Sequence, residues 1–217
     1  MVKINKSELP QDIVIDNEKD YRSEKVISIL RKDFYNKCYI CEEKKPTSIN
    51  VEHLHSCKNN RQLKYKWENL FYACNHCNKI KGSQYDDIID CTKDDPEKYI
   101  LIKFKSYPEK NVEILDKASS PENKETQELL YKIYNGMEEV AISTYEAKNL
   151  KNKIADEIKD FMGYVESYCD EADPKLQAVY WDRIKIMLNR ESNFAGFKRS
   201  IVMQDKKLME YFKELLI

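Results

Sequence analysis

Glycine is scarce in this chain: four residues in 217, about 2% against a usual ~7%. Neither G-x-G-x-x-G nor G-x-x-x-x-G-K-[ST] occurs in the sequence. Both strings let backbone N–H groups approach a phosphate closely, so their absence argues against a nucleotide-binding loop. Any dependence on a nucleoside triphosphate is therefore expected to come from a partner.

Long apolar runs are also missing. No stretch approaches the ~18 consecutive apolar residues of a membrane-spanning helix. Residues 1–6 are too polar for a signal peptide. We therefore expect a cytoplasmic protein without a membrane partner, and in that reducing compartment paired C-x-x-C motifs indicate metal binding rather than disulfides.

The chain also lacks an excess of positive charge. Its net charge is −1, although 35% of its residues are charged. A nucleic-acid-binding face would therefore have to be local. Hydrophobic residues make up 41% of the chain, which is enough for a core. The candidates for a local basic face are Lys58, Arg61, Lys64, Lys66, Lys79 and Lys81.

Four of the seven cysteines form two C-x-x-C pairs. Cys38 and Cys41 make the first pair, Cys74 and Cys77 the second, and thirty-two residues separate the pairs. Each tight turn can supply two thiolates, which predicts a closed tetrahedral Zn²⁺ site of structural type. The remaining cysteines, Cys57, Cys91 and Cys169, are expected to fill gaps between larger side chains.

Polar residues around these pairs exceed what a structural zinc site needs. Glu52 and His53 lie between the pairs, Asn69 precedes the second pair, and Asn78 follows it directly. Phosphodiester hydrolysis needs an activated water and a divalent cation held by a few hard oxygen ligands. We expect Glu52 and Asn78 to hold the cation, His53 to act as general base, and Asn69 to hold the His53 loop through backbone hydrogen bonds.

The two other histidines have weaker signals. His55 lies two residues after His53 and is a candidate phosphate contact. His76 lies inside the second C-x-x-C pair, and we expect it to be an exposed side chain without a specific role, the alternative being a contact to substrate or to the metal site.

Hydrophobic periodicity in the first half predicts a mixed fold. A helix over residues 21–34 leads into Cys38, and strands are expected at 47–51 and 70–73. A helix over 75–81 would complete a β-β-α unit, and a hairpin is expected at 99–104 and 112–115.

The second half has helical periodicity throughout, with expected helices at 122–134, 144–168, 174–188 and about 192–216. The prediction is an α+β protein with a zinc-stabilised ββα-metal core and a mostly α-helical C-terminal region. The expected divisions are an N-terminal arm at 1–20, a nuclease domain at 21–118 and a helical domain at 119–217.

Taken together, the metal block resembles the HNH endonuclease family. The resemblance is greatest to the bacterial branch that contains the PtuB nuclease subunits of Septu anti-phage systems and of related retron systems. Ser56 departs from the pattern, because it stands where that family often has proline. The segments that carry the resemblance are Lys37–Glu42, Val51–Leu54, Trp67–Leu70 and Cys74–Gly82, with weaker similarity at Ile88–Asp90, Tyr134–Gly136 and Phe194–Arg199.

The resemblance implies a DNA endonuclease of an anti-phage defence complex. It implies that Glu52 and Asn78 hold a catalytic cation, usually Mg²⁺, that His53 is the base, and that the four cysteines hold Zn²⁺. It also implies a PtuA-like ATPase partner of the ABC/SMC-like kind. Because the helical half exceeds what a compact nuclease unit needs, we expect this half, together with the N-terminal arm, to bind that ATPase. The alternative role for that half is to buttress the β-β-α unit.

Two other functions stay open from the sequence. An HNH-fold enzyme could act on RNA, because one-metal chemistry does not forbid a 2′-hydroxyl. A zinc-stabilised binding module without catalysis is the second alternative, although the presence of Glu52, His53 and Asn78 argues against it.

Overall fold

The computed structural model describes residues 1–57, 60–118, 120–137 and 141–216, and it is of the predicted α+β class. Among the described helices, none is long and apolar enough to cross a membrane. The strands are β1 (Ile49–His53), β2 (Leu70–Cys74), β3 (Ile100–Lys105) and β4 (Asn111–Asp116). The helices are α1 (Glu18–Tyr21), α2 (Glu24–Asp33), α3 (Arg61–Lys64), α4 (Asn75–Lys81), α5 (Pro121–Asn135), α6 (Ala141–Asp170), α7 (Pro174–Leu188), α8 (Ala195–Gln204) and α9 (Lys206–Phe212).

The expected β-β-α order is present in β1, β2 and α4. Strands β1 and β2 are antiparallel, with Glu52 opposite Phe71 and His53 opposite Leu70. Every residue of β2 is buried, whereas β1 has one partly open face. Helix α4 begins directly after β2 and packs on both strands. Because β1 and β2 are antiparallel, α4 starts beside the start of β1, and its later residues Asn78 and Lys81 approach Glu52 and His53 at the end of β1.

A second antiparallel pair, β3 and β4, confirms the predicted hairpin. Two helices cover it, since α5 packs against β4 and α8 packs against β3. Both strands also donate backbone hydrogen bonds to side chains of these helices: Ile102 N–H donates to Ser200 Oγ (3.1 Å), and Val112 N–H donates to Asn135 Oδ1 (3.0 Å). Backbone groups that lack a strand partner are thereby satisfied by helices.

The larger apolar cluster draws on both halves of the chain. Residues near the start, Met1 and Ile4, are buried in it together with Phe71 from β2. Leu129 of α5 and Phe197 of α8 belong to the same cluster. The expected arm is thus packed at its first residues, and core packing crosses the boundary expected after residue 118. The three domain limits themselves stay a prediction.

A smaller apolar cluster lies among the C-terminal helices. Its buried members are Phe161 and Val165 of α6, Ile184 and Leu188 of α7, Val202 of α8, and Phe212 of α9. The apolar residues that recur at helical spacing therefore form a buried face on each of these helices.

Two predicted helices are each divided in the structure. The helix expected over 21–34 is interrupted where Ser23 caps α2 by accepting a hydrogen bond from Val26 N–H (3.4 Å). The helix expected over 192–216 starts only at Ala195 and is broken at Asp205, whose carboxylate accepts from Leu208 N–H (3.0 Å). Capping side chains offer the backbone an alternative to continuous helix, which hydrophobic spacing alone does not reveal.

The start of α8 is joined to the first cysteine turn by a buried carboxylate. Gly196 N–H donates to Glu42 Oε2 (3.0 Å), and the Glu42 side chain is 1% exposed. The Met1 amino group lies 2.8 Å from Glu42 Oε1, and Lys37 Nζ lies 3.5 Å from Oε2. Burial alone would raise the pKa of Glu42, but the Met1 and Lys37 charges lower it to about 2. Glu42 therefore stays ionised and fixed.

Gly196 should not tolerate a side chain. A Cβ at this position would lie 2.4 Å from Glu42 Oε1, and this buried carboxylate could move only by giving up its contacts with Met1 and Lys37. We expect Gly196→Ala to destabilise the protein by about 1–3 kcal/mol, as overpacking does. Thermal unfolding monitored by circular dichroism measures the change.

Gly163 provides the matched control. It lies exposed within α6, and a Cβ there would meet nothing within 4 Å. Gly163→Ala should stabilise the protein by about 0.5–1 kcal/mol through helix propensity. Equal stability changes in the two variants would contradict the Glu42 contact.

Candidate metal centre and adjoining cavity

The four paired cysteines lie together in the interior. Cys38, Cys41, Cys74 and Cys77 are all buried, and their sulfur atoms lie within 4.8 Å of one another. The Cys41 and Cys74 sulfurs are 3.8 Å apart. A tetrahedral zinc ion with Zn–S bonds of ~2.3 Å needs sulfurs separated by about 3.8 Å. The cluster can therefore hold a structural metal such as zinc with little rearrangement.

Tight backbone turns present both cysteine pairs. In the first turn Glu42 N–H donates to the Cys38 carbonyl (2.9 Å), and Glu42 takes a positive φ of 62°. Lys37 and Lys44 pair as an isolated bridge that closes this turn. In the second, Cys74 ends β2 and caps α4 by accepting from Cys77 N–H at 3.4 Å.

Thiol chemistry also fits a bound cation. Burial raises the pKa of Cys77 well above its usual range, and hydrogen bonds to Cys38 and Cys74 raise the pKa of Cys41. Burial alone would raise the pKa of Cys38, but hydrogen bonds from the other three thiols to its sulfur lower that pKa well below its usual range. Four thiolates could not share this buried space without a positive ion, because their charges would repel. A divalent cation would remove that penalty by holding all four sulfurs ionised.

Glu52 lies beside this cluster, near the end of β1. Its side chain is only 4% exposed. Oε2 accepts a hydrogen bond from the Tyr39 hydroxyl (2.7 Å), and Oε1 lies 2.9 Å from Lys81 Nζ. Burial raises the pKa of Glu52 above its ordinary value, although Lys81 and Tyr39 oppose that shift. Burial and the charge of Glu52 in turn raise the pKa of Tyr39 well above its usual range.

His53 is held in one orientation by its neighbours. Its Nε2 lies 2.9 Å from the carbonyl oxygen of Lys64, and its ring meets Tyr21 edge-on with centroids 5.3 Å apart. A carbonyl can only accept, so Nε2 carries the hydrogen and the lone pair of the neutral ring is on Nδ1. Burial, with nearby positive charges including Lys64 and Lys81, lowers the pKa of His53. The neutral imidazole is thus favoured.

Asn69 makes backbone hydrogen bonds of the kind expected from the sequence. Its Oδ1 accepts from His55 N–H (2.8 Å), and its Nδ2 donates to the carbonyls of His55 (2.9 Å) and Leu63 (3.1 Å). The side chain is 3% exposed. It joins the loop after β1 to α3, whose last residue, Lys64, carries the carbonyl that binds His53.

Asn78 shares an open cavity with Glu52 and His53. The cavity has a volume of about 700 Å³, and Asn78 is half-buried on its wall. The cavity's other polar lining includes Arg22 and Lys64. Three of the four predicted catalytic residues therefore line one space, while Asn69 lies behind it and shapes the loop.

Lys81 contributes to the site in a way that its sequence pattern did not predict. Lys81 was expected on a basic surface, but its side chain is 0% exposed. Its Nζ donates to the His53 carbonyl oxygen (2.9 Å) as well as contacting Glu52. One signal was available: Lys81 follows Asn78 by three positions, which places both on the same side of α4. Arg22 also lines the cavity, and nothing in its sequence position predicted this.

The loop that follows His53 is anchored by Asp86. Ser56 N–H donates to Asp86 Oδ1 (2.8 Å), and Ser56 Oγ donates to Oδ2 (2.5 Å). His55 Nδ1 lies 2.8 Å from the Asp86 carbonyl oxygen. Two hydrogen bonds to the Asp86 carboxylate therefore hold the loop at Ser56, the position where the HNH sequences that this chain resembles often have proline.

His76 is buried, so the expectation of an exposed side chain was wrong. It is 8% exposed, with Nε2 3.0 Å from the Ile133 carbonyl oxygen and Nδ1 2.6 Å from Glu146 Oε2. The ring joins α4 to α5 and α6, because Ile133 belongs to α5 and Glu146 belongs to α6.

The expected basic face is only partly free. Lys64 forms an ion pair with Glu18, and Arg61 donates to the Asp16 carbonyl oxygen (3.1 Å). Lys66 and Lys79 are exposed. Lys58 lies outside the described residues. Of the unpaired cysteines, Cys91 is buried as expected, Cys57 lines the cavity, and Cys169 is exposed and fills no gap.

Comparisons with models of protein families, with curated proteins and with solved structures each found no match to this chain. Inference about its chemistry therefore rests on its own residues and on the family resemblance that its motifs carry.

We expect about one zinc ion per chain, held by the four thiolates. Cys74→Ser should lose the metal and lower the melting temperature, because structural zinc contributes on the order of 10 kcal/mol to folding in apparent terms. Elemental analysis and thermal unfolding measure both effects.

Cys169→Ser is the control, since Cys169 is exposed and lies far along the chain from the cluster. It should keep both zinc and stability. Folded wild-type protein that is purified without added metal and contains no zinc would contradict the prediction.

Proposed function

We propose that this chain is a metal-dependent nucleic-acid endonuclease with an HNH-type ββα-metal core. The observation that carries the proposal is the presence of Glu52, His53 and Asn78 on one cavity beside the four-cysteine cluster. A carboxylate, an amide oxygen and an oriented imidazole are the donors and base that phosphodiester hydrolysis requires. The resemblance of these segments to HNH endonucleases supports the same conclusion.

The donor set fits a hard divalent cation such as Mg²⁺. Glu52 and Asn78 present oxygen donors on the cavity wall, and a carboxylate oxygen retains a lone pair after accepting one hydrogen bond. Few protein ligands and an open cavity are typical of magnesium sites, which keep several water or phosphate ligands. When bound, the cation would supply charge neutralisation at the crowded phosphate and assistance to the departing oxygen.

His53 would provide the base. The lone pair on Nδ1 accepts a proton from water as the water oxygen attacks phosphorus and the P–O bond to the leaving oxygen breaks. The hydrogen bond from Nε2–H to the Lys64 carbonyl keeps the ring oriented and favours its positive charge after proton transfer. Asn69 supports the same loop through its backbone hydrogen bonds.

Cations on the cavity rim would bind the substrate backbone. Arg22 and Lys64 line the cavity, where Lys64 would exchange its ion pair with Glu18 for the phosphate. The Arg22 guanidinium lies 5.2 Å from the Tyr21 ring that contacts His53. Arginine forms bidentate hydrogen bonds with phosphate oxygens. DNA is the proposed substrate, and RNA is the second possibility.

A specific observation favours the alternative of a non-catalytic zinc module. Both Glu52 oxygens already have partners, Tyr39 and Lys81, so the buried carboxylate could serve packing alone. The open cavity beside it and the oriented His53 support catalysis over that alternative. Cleavage activity decides between them.

An ABC/SMC-like, PtuA-like ATPase is the proposed partner, by family resemblance. The test must use the full chain, because α5 and α8 bury residues in the same core as β2. Co-purification with an ATPase encoded beside this chain would support the assignment, and its consistent absence would oppose it.

His53→Ala should lower the rate of nucleic-acid cleavage by about 10²-fold or more, because it removes the general base. Its zinc content and melting temperature should stay near wild type, since the ring is half-buried at the edge of the cavity. Single-turnover cleavage of plasmid DNA and of total RNA, with added Mg²⁺, measures the loss.

His55→Ala tests the other candidate base. A larger loss in His55→Ala than in His53→Ala would move that role to His55. Wild-type protein that cuts neither DNA nor RNA, with or without its partner, would favour the non-catalytic module.

A further inference from the structure

Lys81 combines complete burial with contact to two parts of the proposed active site. Its ammonium lies 2.9 Å from Glu52 Oε1 and 2.9 Å from the His53 carbonyl oxygen. The other lysine near the end of the same helix, Lys79, is exposed. A buried lysine is costly unless it is paired, so these contacts fix its position.

The charge balance at this position opposes a free cation. Glu52 contributes one negative charge, Lys81 one positive charge, and Tyr39 donates a hydrogen bond without adding charge. Their sum is close to zero, whereas a divalent cation at Glu52 would face the Lys81 ammonium across the same carboxylate. In a partly desolvated site that repulsion is stronger than in water.

We propose that Lys81 makes cation binding at Glu52 depend on a bound phosphodiester. This inference rests on the proposed function and adds an order of events to it. A phosphate entering the cavity brings a negative charge that offsets the repulsion between the cation and the Lys81 ammonium, which is buried against Glu52 and does not line the cavity. Lys81 is thus a positioning residue: it holds Glu52 and the His53 backbone in place before substrate arrives, and it keeps the cation weakly bound until then.

Thermodynamic linkage makes this coupling measurable from two directions. If phosphate tightens cation binding by some factor, the cation must tighten nucleic-acid binding by the same factor. Coupling between sites is typically about 5–150-fold. We expect a factor of about tenfold or more here, because the interacting charges share one buried carboxylate.

Mn²⁺ binding, followed by electron paramagnetic resonance, measures the first direction. The protein carries zinc and His53→Ala, so that the nucleic acid stays intact. Titrations are run without nucleic acid, with a short DNA duplex and with a single-stranded RNA. The same protein carrying Glu52→Ala as well provides the background from Mn²⁺ bound elsewhere, including on the nucleic acid.

Lys81→Met removes the charge and keeps most of the side-chain volume. It should bind Mn²⁺ about tenfold more tightly without nucleic acid, and the coupling should shrink toward one. Lys79→Met removes a charge from the same helix at an exposed position and should leave the coupling as it was. Zinc content and melting temperature check that each variant folds. The coupling measured in protein that retains Lys81 tests the inference even if Lys81→Met does not fold.

Each outcome has a defined meaning. Coupling with DNA or RNA that is lost in Lys81→Met supports the inference. Equal Mn²⁺ affinity with and without either nucleic acid overturns it, as does coupling that survives Lys81→Met in folded protein. Cleavage by the wild-type chain is scored separately, so cleavage without coupling rejects this inference alone, whereas absence of cleavage rejects the proposed function.

Discussion

Packing around the four-cysteine cluster is the constraint on which most of this structure depends. The cluster joins the first cysteine turn to the junction of β2 and α4. The same turn binds the start of α8, because Glu42 accepts from Gly196 and its backbone carbonyl accepts from Phe194 N–H (3.2 Å). Loss of the cluster would therefore loosen the proposed active site and the C-terminal helices together.

A second buried ion pair, between Glu52 and Lys81, sets the electrostatics of the cavity. It places a fixed positive charge beside the carboxylate that is proposed to hold a cation, and it holds the backbone of His53. Burial makes each of these charges depend on the other, since removing one leaves the other unpaired. Stability and proposed catalysis thus draw on the same contact.

Several features were predictable because their causes are local. The two C-x-x-C spacings predicted a four-cysteine cluster, and the cysteines do lie together. Alternating and helical spacing predicted the β-β-α order, the second hairpin and the amphipathic stripes of the C-terminal helices. Hydrophobic spacing did not predict the helix breaks at Ser23 and Asp205, because one capping side chain can end a helix within an otherwise continuous apolar pattern.

By itself, the amino-acid sequence determined which donors exist and how far apart along the chain they lie: thiolates in pairs, Glu52 beside His53, and Asn78 after the last cysteine. Tertiary structure alone decided their charge environment. Lys81 is buried against Glu52 because α4 packs back on β1, and His76 is buried against Ile133 because α5 and α6, which are distant in sequence, cover the start of α4. Burial depends on which surfaces meet, and contacts between residues far apart in the chain leave no trace in local spacing.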